Sequence, residues 1–152
     1  MRILIAAVGR IKPGPLHDLQ REYLTRLSWP VDLREIEERR KLPAAEMRRR
    51  EGEALLAALP SPAIAVALDE RGTASGSAAF ADKLRAWRDG GTPNLTFLIG
   101  GADGLDAPVR ARADLLLAFG AMTWPHQLAR IMLLEQLYRA QQIIAGHPYH
   151  RA

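Results

Sequence analysis

Short runs of branched and aromatic apolar residues recur along the chain at positions 3–8, 31–36, 64–68, 95–99 and 115–119. Each has the length and near-continuous apolarity of a strand covered on both faces. Between them, apolar positions return every three or four residues at 16–27, 44–59, 78–87, briefly after Asp106, and at 127–145, which predicts helices. Strand and helix alternate throughout. The alternation predicts an α/β fold with a mostly parallel sheet of five to six strands and helices on both faces. Ligands of such sheets bind outside the carboxyl ends of the strands.

The segment 127–145 is the longest predicted helix. Leu128, Ile131, Leu134, Leu137 and Tyr138 lie on one side, and Met132, Leu133, Ile143 and Ile144 widen that stripe. Two readings stay open: a second burial surface that makes a helix-mediated homodimer, or one well-buried core helix. Arg130, Glu135 and Arg139 break its apolarity. No stretch reaches the ~18 apolar residues of a membrane span, so no membrane partner is expected.

Length changes the picture little. At 152 residues, one domain over 1–152 is expected, because domains commonly run to roughly 100–150 residues. With 48% hydrophobic and 25% charged residues, the chain has the composition of a globular protein. It has no cysteine, which excludes disulfides, thiolate metal sites and cysteine nucleophiles and makes the cytoplasm the simplest location. The opening MRILIAAVGRIKPG reads as a strand, since its apolar run ends at Arg10 and Lys12 without a cleavage pattern. A net charge of +4 and a pI near 10.0 favour a polyanionic partner. Arg39, Arg40 and Lys41, then Arg48, Arg49 and Arg50, form a basic stretch around the single acid Glu46, readable as an RNA backbone footprint or as a solvated face.

Candidate chemistry gathers at three strand ends. Strand 95–99 runs into Gly100, Gly101, Ala102, Asp103 and Gly104, where glycines allow a sharp turn and close backbone approach to a ligand. The pattern is neither GxGxxG nor a P-loop. Strand 115–119 runs into Gly120, Ala121, Met122, Thr123, Trp124, Pro125 and His126; Pro125 suits a first helical turn and Thr123 its cap. Leu68 and Asp69 end the third strand in ALDERG, with a tight turn expected at Arg71 and Gly72. Together these loops would form a pocket of glycines and apolar backbone, suited to a flat neutral group such as adenine and offering little charge to a triphosphate. The chain closes on GHPYHRA, with His147, Tyr149, His150 and Arg151 close together. Such a tail frays or, stiffened by Pro148, serves nucleic acid with a stacking aromatic beside Arg and His. Two histidines without a third ligand make a poor metal site, and no metal is expected.

Read together, FLIGGADGL, AMTWPHQLARIMLLEQLYRA and GHPYHR closely resemble the RlmH family, SPOUT-class methyltransferases that modify N3 of a pseudouridine in bacterial large-subunit (23S) ribosomal RNA. VGRIK, EYLTRL, GEALL and ALDERG extend the likeness over nearly the full length. The resemblance implies a homodimer, a C-terminal trefoil knot and S-adenosylmethionine bound in a bent shape. By motif it places the cofactor against Leu68, Gly100 and chiefly Gly101, and the loop from Gly120 through Ala121, Met122, Thr123 and Trp124 to Pro125. The family commonly has serine at positions 76 and 118 and leucine at 124, where this chain has Gly76, Ala118 and Trp124.

The implied reaction needs a positioned imide nitrogen and loss of its proton. Tyr149, His150 and Arg151 are the expected catalytic group, with Arg139, His126 and His147 on the substrate side. The absence of an appended RNA-binding domain points to the assembled ribosome as substrate. Two alternatives keep the same fold: a non-catalytic RNA- or ribosome-binding factor, and a knotted methyltransferase acting on transfer RNA.

Overall fold

The structure is a computed structural model that describes residues 1–151. Five strands, β1 (Arg2–Val8), β2 (Val31–Ile36), β3 (Ile64–Ala74), β4 (Asn94–Ile99) and β5 (Leu115–Ala118), form one sheet in the order β2-β1-β4-β3-β5. Every pairing in it is parallel. Five helices alternate with them: α1 (Pro15–Arg26), α2 (Ala44–Ala57), α3 (Ser77–Asp89), α4 (Ala107–Arg112) and α5 (His126–Ile144). The expected α/β architecture is therefore the observed one.

Alternation along the strands splits the core in two. Ile3, Ile5, Ala7, Val66, Leu95, Phe97 and Ile99 point to one face and pack with Phe80, Leu84, Leu133, Leu134 and Leu137 of α3 and α5. Ala6, Val8, Ala65, Ala67 and Leu98 point to the other, against Leu55 of α2 and Val109 of α4. At about 1.5–3 kcal/mol for each large side chain taken from water, these two layers are what hold the helices on the sheet. The small residues Ala6, Ala65 and Ala67 let α2 and α4 approach closely.

α5 lies between α1 and α3, and its wide apolar arc is consumed there: Ile131, Leu133, Leu134, Leu137 and Ala140 are buried within the protomer. Within the subunit the core-helix reading of that arc is observed, while Leu128 stays exposed and Met132, Tyr138, Ile143 and Ile144 are only partly buried. Arg130, which interrupts the stripe, is itself fully buried. Its guanidinium donates to Glu35 Oε2 at 2.6 Å, Gln20 Oε1 at 3.3 Å and the Gly9 carbonyl at 2.8 Å, tying the start of α5 to α1, β2 and the end of β1.

β3 differs from expectation. It continues to Ala74 instead of ending at Leu68, because Leu68 and Thr73 both pair with Leu117 while residues 69–72 bulge out. The tight turn expected at Arg71 and Gly72 is thus an excursion inside a strand. Gly72 permits it: a methyl group there would stand 2.5 Å from the Leu116 carbonyl oxygen, well inside contact distance.

Candidate active site

The carboxyl ends of β3, β4 and β5 open onto a cleft of about 870 Å³, within the range of small-molecule and cofactor sites. Its walls are the three predicted loops: Leu68 and the Asp69–Arg71 bulge, the glycine turn after Ile99, and the segment from Met122 to His126. Leu117 and Phe119 form the apolar floor.

The glycine turn is built by the main chain. The Gly104 amide donates to the Gly101 carbonyl at 3.0 Å, and Gly104 takes φ +81°, a left-handed conformation suited to glycine. A Cβ on Gly100 would stand 2.9 Å from the Gly104 carbonyl, and one on Gly101 2.9 Å from Val8 Cγ1. Both glycines are required by close approach. Gly100→Val is expected to weaken ligand binding in the cleft by at least ~tenfold, since an overpacked site displaces backbone at a cost of about 1–3 kcal/mol; calorimetry with the ligand reads this.

Opposite the turn, the Thr123 hydroxyl donates to the Glu70 carboxylate, joining the loop before α5 to the β3 bulge. The expected helix cap at Thr123 is corrected: Pro125 is the N-cap residue, no side chain caps the helix, and α5 begins at His126. Trp124 donates its indole N–H to the Phe119 carbonyl at 3.1 Å, folding the loop on itself while Met122 stays largely exposed. Asp69 is buried against Arg71 and Arg110, at 3.3 and 3.8 Å. Its charge is matched, so the cleft's remaining character is apolar wall and peptide edge.

His126 reaches the cleft from the first turn of α5 and lies against Gly9. Burial, reinforced by the positive charge of Arg130, holds its imidazole below the usual histidine range. A lowered folded value means that the unfolded chain takes up the proton first as pH falls, so this contribution to stability is present at neutral pH and lost toward acid. The midpoint of thermal unfolding should fall between about pH 7 and 5, and the fall should be smaller in His126→Gln.

The C-terminal tail does not enter the cleft. It folds back along α5, where Tyr149 packs edge-on against Tyr138 with ring centroids 4.8 Å apart and lies under the Arg139 guanidinium at 4.8 Å. The Tyr149 hydroxyl donates to Glu135 Oε1 at 3.0 Å, and Arg139 grips the same carboxylate at 2.6 Å. Arg139 Nη1 also lies 3.1 Å from His150 Nδ1. Arginine has no acceptor, so that His150 nitrogen accepts, and the hydrogen of a neutral ring sits on Nε2. Burial, then the bond to Glu135, push the Tyr149 phenol up, which keeps it protonated. His147 accepts the Tyr149 amide at 3.2 Å and is exposed, as is Arg151.

The predicted site residues therefore form two groups. Leu68, Gly100, Gly101 and Met122 to His126 line the cleft, Gly120 and Ala121 lead into it, and Arg139, His147, Tyr149 and His150 form the tail cluster with Glu135. Glu135 appeared in the sequence only as a break in an apolar helix, although its spacing to Arg139 is that of a helical ion pair. The basic stretch is less free than it looked, because acids outside it pair with part of it: Glu38 binds Arg40 at 2.8 Å, and Glu53 joins Glu46 on Arg49. Among the described residues there is no metal-binding cluster and no helix long and apolar enough to cross a membrane.

Residues 1–150 match a family model described as "Predicted SPOUT methyltransferase", and the chain belongs to that family. Its relatives narrow the class. Proteins named ribosomal RNA large subunit methyltransferase H are 60% identical in Rhodospirillum centenum, over 100% of both chains, and 58% identical in Paramagnetospirillum magneticum, over 99% of both. One from Gluconacetobacter diazotrophicus is 56% identical over 100% of this chain and 97% of its own. Among solved structures, the SpoU methyltransferase AviRb from Streptomyces viridochromogenes, in complex with AdoMet, aligns at TM-score 0.47 and 19% identity over 94% of this chain and 58% of that one.

Proposed function

We propose that this protein transfers a methyl group from S-adenosylmethionine to N3 of a pseudouridine in 23S ribosomal RNA of the assembled ribosome, acting as a cytoplasmic homodimer. Full-length identity to ribosomal RNA large subunit methyltransferase H proteins supports the reaction. The observation that carries the site is the cleft at the strand ends. Leu68, Ile99, Leu105, Leu117 and Phe119 offer apolar surface, and the glycine turn brings the backbone of residues 100–104 to the cleft wall, which fits an adenosine held by main-chain hydrogen bonds. When bound, the cofactor supplies a methyl group on positively charged sulfur. The return of α5 from the edge strand β5 to a place between α1 and α3 supports a knotted path for the segment from Gly120 to Pro125.

N3 of a uracil ring lies between two carbonyls, and as the new N–C bond forms the S–CH3 bond would break to leave a neutral thioether while the N3 proton passes to water. Donors aimed at those carbonyls stabilise the developing negative charge. His150 Nε2–H and Arg139 are such donors, and Glu135 fixes both Arg139 and Tyr149. Tyr149, kept as a phenol, orients the tail instead of removing the proton. Arg151, His147 and the cations of the 39–50 segment contact phosphates.

The separation of tail and cleft supports the dimer, in which the tail of one subunit completes the cleft of the other. Exposed Leu19 on α1, Leu128 on α5, and Met122 and Trp124 before it offer an apolar surface beside the cleft. The test is mass spectrometry of ribosomal RNA from a strain lacking the gene, before and after adding protein and S-adenosylmethionine to its ribosomes. One methyl on a pseudouridine should be missing and then restored. Methylation confined to transfer RNA would refute the assignment, as would none at all.

A further inference from the structure

Behind the glycine turn, outside the cleft lining, stands a carboxyl group that neither the fold nor the proposed reaction has used. Glu51, on α2, is nine-tenths buried and its Oε1 has no hydrogen-bond partner. A methyl group on Gly101 would lie 3.1 and 3.2 Å from the two Glu51 oxygens, so the missing side chain is what brings the carboxyl against the turn. The neighbouring Gly52 would place a methyl 3.1 Å from both Asp106 and Val109, and Arg48 reaches the Asp103 carbonyl at 3.5 Å. One helical turn of α2 therefore grips the cofactor loop at both ends.

The surroundings of Glu51 oppose its charge. Burial is the main cause, and Asp103 of the glycine turn and Glu38 from the segment before α2 add to it, all three pushing the carboxyl up. From β1, the apolar Val8 stands against Gly101 beside the carboxyl. On α2 itself, Arg48 is turned toward Asp103 and Arg50 keeps its buried Nε without a partner. Of the carboxylates that line the cleft, Asp69 is ion-paired, Glu70 is hydrogen-bonded and Asp103 is exposed to solvent. Glu51 is the buried one beside them with an unpartnered oxygen.

We propose that Glu51 is a positioning residue of the glycine turn, whose carboxyl gives up a proton when the positively charged cofactor enters the cleft and so couples the turn to binding. The inference rests on the cofactor reading above. An incoming positive charge on the far side of Gly101 favours the carboxylate, and the new charge, one peptide away, holds the turn against the ligand. Affinity then rises with pH across the window from the ordinary carboxylate range upward, because binding releases a proton there.

Calorimetry of the full-length protein with S-adenosylmethionine, in buffers of different ionisation enthalpy between about pH 5 and 7, counts that proton directly. The wild type should release up to about half a proton, with Kd falling by about tenfold in all across this window. Glu51→Gln should bind with no proton release, matching the wild type near pH 5 and binding about tenfold more weakly near pH 7. Asp103→Asn, which removes a repelling charge and leaves Glu51 in place, should move the release to lower pH. Binding without proton release in the wild type, or equal release in Glu51→Gln, would overturn the inference. Failure of the wild type to bind S-adenosylmethionine at all would instead overturn the cofactor reading, and the inference with it.

Discussion

Removing residues 149–152 should lower methyl transfer by at least ~10²-fold, the scale of a lost positioning group, while the Kd for S-adenosylmethionine changes by less than about twofold. The two halves of this expectation come from different places in the fold. The cleft is walled by β3, β4 and β5 and their loops, and no tail residue of the same subunit lines it. In the proposed reaction the tail, with Tyr149 on Glu135 and His150 on Arg139, supplies donors to the target base, and these go with it. Single-turnover assays on ribosomes read the first quantity, and calorimetry reads the second. A truncated protein with full activity would remove the tail from the reaction.

Arg130→Ala should cost about 3 kcal/mol, a large part of the 5–15 kcal/mol that stabilises a typical domain. The wild-type guanidinium is fully buried and holds Gln20, Glu35 and the Gly9 carbonyl together. Deleting it leaves a carbonyl and a carboxylate without their donor. The loss lies at the low end for a broken buried pair because the Glu35 side chain is 30% exposed and still accepts the Ile11 amide. Since Gly9 borders His126, the cleft should loosen as well, and S-adenosylmethionine should bind more weakly at temperatures where the variant is still folded. Urea denaturation measures the stability term.

These residues also show which parts of the protein its sequence discloses. Strands with continuous apolar runs and helices with period 3.6 are local signals, and every predicted element is present. The extension of β3 was hidden because the bulge breaks its periodicity and Gly72 mimics a turn; the reason for that glycine is the Leu116 carbonyl, 44 residues away in sequence. The insertion of β4 between β1 and β3 is set by packing, which no local pattern records. Arg130 read as an interruption because its partner Glu35 is 95 positions distant. Glu51, inside RRREGEALL, carries no local pattern that separates it from a solvated helix charge. The cleft loops were legible, since three strands ending in glycines or a carboxylate must meet at one sheet edge. The relation of tail to cleft was not, because the two lie apart within the subunit and no local pattern records which cleft a tail serves.

That relation is the central claim, and mixed dimers test it. One subunit carries an intact cleft but lacks residues 149–152; the other carries Gly100→Val and keeps its tail. At S-adenosylmethionine concentrations near the wild-type Kd or below, each homodimer should be at least about tenfold less active than the wild type. After unfolding and refolding the two together, or on co-expression, random pairing makes about half the dimers mixed, each with one intact cleft facing one intact tail. Methyl transfer to ribosomes should then return to about a quarter of the wild-type rate. If the mixture stays as inactive as its parents while the mixed dimer is shown to form, each tail serves its own subunit, and the shared site is contradicted.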